Sequence, residues 1–160
     1  MRIEARLAEL GLVLPRPLHA PPNTRLPFTN VRLRGQRALI AGHGPLNADG
    51  TLAGPFGKVP SDVSPEQAYQ SARLVALAML ASLQRELGDL DRVTAWLRVF
   101  GMVNSTPDFA AQPSVVNGCS DLLLEVYGPD AGQHARSAVG LAALPFNIPV
   151  EIEAEVEIAA

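Results

Sequence analysis

Near the C-terminus, Val150, Ile152, Ala154, Val156 and Ile158 alternate with Glu151, Glu153, Glu155 and Glu157, and no other stretch limits the fold as much. Side chains of a strand point alternately to its two faces, so the pattern predicts a strand with one buried and one acidic face. Carboxylates along one face repel one another unless cations or a partner surface answer them. The segment from His134 reads as a second strand and supplies one cation, Arg136, among Ser137, Ala138, Val139 and Gly140. A guanidinium rooted in an apolar strand needs an anion, because burying it unpaired is costly. That anion is either a glutamate of the chain or the carboxylate of a ligand.

At 160 residues the chain fits one domain, 1–160, able to bury a core without staples. Residues 1–27 read as an N-terminal helix and a Pro-rich arm, and 28–160 as the core. Charged residues make up 18%, fewer than usual, which in a small domain points to a surface partly covered by copies of itself. The net charge of −3 argues against a nucleic-acid partner, which calls for a basic stripe. The single cysteine, Cys119, excludes an internal disulfide and a cysteine-rich zinc site. No leader-like start and no apolar run near the ~20 residues of a bilayer span is present, so a soluble cytoplasmic protein is expected, with no membrane partner.

Taken in order, Ile3, Leu7 and Leu10 recur at helical spacing before Gly11. Pro15, Pro17, Pro21, Pro22 and Pro27 then exclude helix and central strand and predict an extended arm. Phe28 to Leu33 and Arg37 to Gly42 form a candidate hairpin, broken by Gly42-His43-Gly44-Pro45. Residues 46–63 read as turns and loop. Ser64-Pro65-Glu66-Gln67 carries a capping box with proline in the first turn, opening a helix that stops at Gly88. Arg92 to Val103 alternates Val93, Ala95, Leu97 and Val99 with Thr94, Trp96, Arg98 and Phe100, a strand with Trp96 and Phe100 on the same side as the glutamates. Pro113 opens a second long helix that Gly128 ends, with Cys119 an inert core thiol. Pro145 and Pro149 between the last two strands favour a crossover over a tight hairpin. The expected architecture is α+β: two layers, a mixed sheet with both long helices on one face.

Ala135-Arg136-Ser137, Leu144-Pro145 and Val150-Glu151-Ile152-Glu153-Ala154, in this order and spacing, resemble the C-terminal signature of the YjgF/Rid family. The likeness extends from about Pro27 onward, and the helix and arm before it resemble a longer YjgF-like branch. It implies a chorismate-mutase-like fold, a homotrimer with sites between subunits, and hydrolysis of reactive 2-imino or 2-enamino acids to 2-oxo acids and ammonia. No metal or organic cofactor is implied. Some members carry the label L-PSP endoribonuclease.

By the same resemblance, Arg136 clamps the carboxylate of a small metabolite, Asn117 borders the site, the backbone at Ala138 meets the substrate nitrogen, and Glu151 holds the attacking water. Phe28 and Gly42 line the pocket. The chain departs from the deaminase branch at three places. Phe28 stands for a tyrosine, Ala41-Gly42-His43 for Ser-Gly-Gln, and Ala138 for a common cysteine. His43 then has two readings: a proton carrier replacing the lost hydroxyls, or a solvated turn residue. Two other functions stay open, a metabolite-binding module without turnover and an L-PSP-type endoribonuclease.

Overall fold

The computed structural model describes residues 2–160. Helix α1 (Arg2–Glu9) leads into the arm, followed by β1 (Val31–Arg34), β2 (Arg37–His43), α2 (Pro65–Leu87), β3 (Val93–Asn104), α3 (Gln112–Ala131), β4 (Ala135–Leu141) and β5 (Val150–Ile158). The sheet order is β1-β2-β5-β3-β4. Only β3 and β4 are parallel, joined through α3, and the other pairs are antiparallel. The result is α+β, with a mixed five-stranded sheet. β4 and β5 do not pair, as their proline-bearing linker requires: β5 crosses to lie between β2 and β3.

Local chemistry fixes α2. The Ser64 hydroxyl accepts from the Gln67 amide at 3.1 Å, and the Gln67 side chain accepts from the Ser64 amide at 3.0 Å. Gly88 closes the helix in the left-handed region, where glycine alone carries no Cβ penalty. The ladder of α3 continues to Ala131, beyond the expected end, but its backbone breaks at Gly128. Gly118 of α3 lies against the Tyr69 carbonyl of α2, where a Cβ would collide with backbone. Arg73 clamps Glu125 with two bonds of 3.1 and 3.0 Å, tying the helices together further out.

One face of the sheet meets these helices through Ile40, Val99, Val150, Ile152 and Val156, all buried. Trp96 is among them, 1% exposed, and this corrects the strict alternation expected for β3. The β3–β5 register slips between Val93 and Ala95 and again between Trp96 and Arg98. Each slip inserts one unpaired residue, so the period-2 count restarts. Trp96 thereby lands opposite inward-facing Val156 and meets Tyr127 edge-on at 5.9 Å, while Leu97 is left exposed. Phe100 stays on the outer face with Arg98 over its ring at 5.5 Å, and Glu153 is its neighbour on β5. Among the described residues, no helix is long and apolar enough to cross a membrane.

Candidate functional site

A cavity of about 320 Å³ opens beside the end of β2. Leu18 and Leu26 of the arm, Phe28, and Phe146 and Ile148 of the β4–β5 linker form its apolar walls. Gly42, His43, Ser82, Arg85 and Glu151 give it polarity. Phe28 lies before β1 rather than in it and is 58% exposed.

A second bulge positions His43. Between Ile40 and His43 of β2, the register against β5 gains a residue, so His43 falls opposite inward-facing Ile152. The imidazole is consequently buried against α2, not solvated in a turn, which corrects that reading. Its Nδ1 meets the Ala41 carbonyl at 2.6 Å and its Nε2 meets the Ser82 hydroxyl at 2.8 Å. Burial first, then the nearby Arg85 charge, hold its pKa below the usual histidine value, partly offset by the Ala41 contact. Both ring nitrogens are committed within the chain.

The same bulge places Gly42 under Glu151. An added Cβ at Gly42 would stand 2.5 Å from Glu151 Oε2, so glycine is what admits the carboxylate. Glu151 is half-buried, and desolvation, then the neighbouring Glu153 charge, raise its pKa above the usual 4.5. A carboxyl so tuned is suited to passing protons to and from water.

Arg136, Asn117 and Ala138 lie elsewhere. Arg136 is opposite Val99 on the edge strand β4 and reaches to the helix side, whereas Glu151 is opposite Met102 and faces outward. The two do not meet within one chain. Arg136 instead donates to Asn117 Oδ1 at 2.8 Å, the Ser120 hydroxyl at 3.1 Å and the Pro113 carbonyl at 3.4 Å. It forms no ion pair among the described residues. Beneath it, burial pushes the Cys119 thiol up to about 12, as an inert core position requires.

The expected site residues therefore form two groups, one at each side of the sheet: Phe28, Gly42, His43 and Glu151 by the cavity, Asn117, Arg136 and Ala138 at the β4 edge. Sequence reasoning missed Ser82, Arg85 and Ser120. A hydroxyl in the apolar stripe of α2, one turn before an arginine, is the signal that could have exposed the first two.

A family model described as "YjgF/chorismate mutase-like, putative endoribonuclease" matches residues 4–154. Protein TCP17 of Trypanosoma cruzi is 38% identical over 158 residues, spanning 98% of this chain and 94% of that protein. The crystal structure of Agrobacterium tumefaciens Atu1372, a protein of unknown function, is similar at 37% identity and a TM-score of 0.86, over 99% of this chain and 92% of that one. A "putative endoribonuclease" from Shewanella oneidensis MR-1 is similar at 28% identity and a TM-score of 0.87, over 98% and 99% of the two chains. Shared signature, topology and these likenesses lead to one placement: the chain belongs to the YjgF/chorismate mutase-like family.

Proposed function

We propose that the chain forms a closed homotrimer in which the cavity of one copy meets the Arg136 edge of the next, and that this cleft hydrolyses small 2-imino or 2-enamino acids. The observation that carries the reading is the state of Arg136: oriented by Asn117 and Ser120, yet answered by no carboxylate among the described residues. A planar fork held this way donates two parallel bonds to a ligand carboxylate. Leu39 and Val139, exposed on the outer sheet face beside Phe100, favour covering that face with other copies. A repeated heterologous contact that closes on itself gives the ring.

In this cleft Arg136 fixes the substrate carboxylate and Glu151 of the facing copy orients a water. An enamine first tautomerises to its imine. Water adds to the C=N carbon, Glu151 taking a proton from it and returning one to nitrogen. The carbinolamine hydroxyl then gives up its proton, passed by Glu151 to the amino nitrogen, as the C–N electron pair leaves with nitrogen and the C=O bond forms, giving a 2-oxo acid and ammonia. Holding both reactants in place supplies most of the needed acceleration.

The test generates 2-imino acids in situ with an amino-acid oxidase and follows their decay with and without the protein. Faster decay, lost in Arg136→Ala and Glu151→Gln, supports the reading. A stable monomer by light scattering at micromolar concentration overturns the shared cleft. Phe28 and the committed nitrogens of His43 favour one second reading, a carrier that binds 2-oxo acids without turnover. Tight binding with no acceleration selects it.

A further inference from the structure

Two side-chain relays of the same design occur in this molecule, one in each half of the site. In the first, His43 Nδ1 meets the carbonyl two residues earlier, Ala41, at 2.6 Å, and Nε2 meets the Ser82 hydroxyl at 2.8 Å. Arg85 donates to that hydroxyl at 3.0 Å. In the second, His134 Nδ1 meets the carbonyl two residues earlier, Gly132, at 2.8 Å, and Nε2 meets the Ser120 hydroxyl at 2.8 Å. Arg136 donates to that hydroxyl at 3.1 Å.

For a neutral imidazole the direction of both chains follows from the groups at their ends. A guanidinium only donates, so the serine oxygen must accept from it, and in the neutral ring, with its proton on Nδ1, Nε2 accepts the serine proton. A carbonyl only accepts, so Nδ1 must carry the ring proton. Each relay thus fixes one arginine, and neither arginine has a carboxylate partner among the described residues.

Among the described residues only two N–H groups of Arg85 are engaged, toward Ser82 and the Pro15 carbonyl, out of the five a guanidinium carries. Although Arg85 is exposed, partial desolvation penalises its charge, and its side chain lines the same cavity as Glu151. We infer that Arg85 is a second anion-binding group of the cleft, and that the site takes an aliphatic diacid, a 2-imino or 2-oxo acid whose far carboxylate pairs with Arg85 while Arg136 of the adjoining copy holds the near one. The apolar walls of Leu18, Leu26 and Ile148 suit the methylenes between the two ends. This rests on the proposed intersubunit cleft.

The experiment titrates the intact protein with 2-oxoadipate and with 2-oxohexanoate, which has the same chain length and ends in a methyl group. The diacid is expected to bind on the order of tenfold more tightly or better, the scale of one hydrogen bond to a charged group. In Arg85→Gln that ratio should fall to about one. A crystal of the parent soaked in 2-oxoadipate should place the far carboxylate within bonding distance of Arg85, a readout independent of how the variant folds. Equal affinities, tighter binding of 2-oxohexanoate, or a preference that survives Arg85→Gln would overturn the inference and leave the cleft reading standing. Undiminished binding of both acids by Arg136→Gln would overturn the cleft reading instead. No binding of either acid by the parent overturns both.

Discussion

Gly42 and Glu151 share one space: a Cβ on the first would stand 2.5 Å from a carboxylate oxygen of the second. Glu151 is a flexible, half-buried side chain, so Gly42→Ala is expected to displace the carboxylate rather than unfold the protein. A shift of ~1 Å at a catalytic group costs about a hundredfold in rate. Imine decay measured beside thermal melting should show kcat falling by that order with melting nearly unchanged. A large melting loss with normal turnover per folded molecule would contradict the assignment.

Glu151 also has a pH signature. Its folded pKa lies above 4.5, so it contributes stability that is fully present below 4.5 and is lost as pH rises through the raised value. Glu151→Gln removes that dependence and should be at least as stable as the parent at neutral pH while losing turnover. Melting curves from about pH 4 to 7 decide it.

His43 has the opposite sign. Its folded pKa lies below 6.5, so the buried neutral ring contributes stability that is present above 6.5 and is lost as pH falls toward the depressed value. The parent should therefore weaken on acidification below 6.5, and His43→Gln should flatten that part of the profile. An unchanged slope would place the acid sensitivity elsewhere.

Arg136→Lys keeps a charge but not the fork. Binding of a 2-oxo acid such as pyruvate should weaken by about 2–5 kcal/mol, nearly as much as in Arg136→Ala. Oligomeric state should persist, because no carboxylate among the described residues completes the pair. A folded Arg136→Lys protein with parental affinity would refute the clamp.

Ser64→Ala removes the hydroxyl that accepts from the Gln67 amide. The loss should be about 1 kcal/mol of stability, with ligand affinity intact. Chemical denaturation measures it, and a midpoint that does not move would mean the cap contributes nothing.

What the sequence disclosed was what short-range chemistry controls. Alternation in Val150 to Ile158 and the capping box at Ser64 act within a few residues, and both appear in the structure as expected. Trp96 and His43 were misplaced for one shared reason. Bulges arise from pairing between strands far apart in the chain, and each extra residue reverses every later in-or-out assignment. The Ser82–Arg85 pair was hidden differently: its partner His43 is 39 residues before Ser82, and a serine and arginine one turn apart look like any helix edge. Arg136 stood out in the sequence because an arginine among apolar strand residues is costly unless something pairs with it, and in the structure α3 answers it with Asn117, Ser120 and the Pro113 carbonyl.

The arm before β1 settles how the cavity is bounded. Its backbone is pinned at Arg16 to Ala48 and at His19 to Gly50, and Leu18 and Leu26 face the cavity from it. Prolines at 15, 17, 21, 22 and 27 restrict φ in the unfolded chain as well, so laying this segment down sacrifices less conformational freedom than an ordinary loop would. For a ligand of the proposed cleft this wall would be preformed, so that little of the binding energy would go into ordering the protein around it.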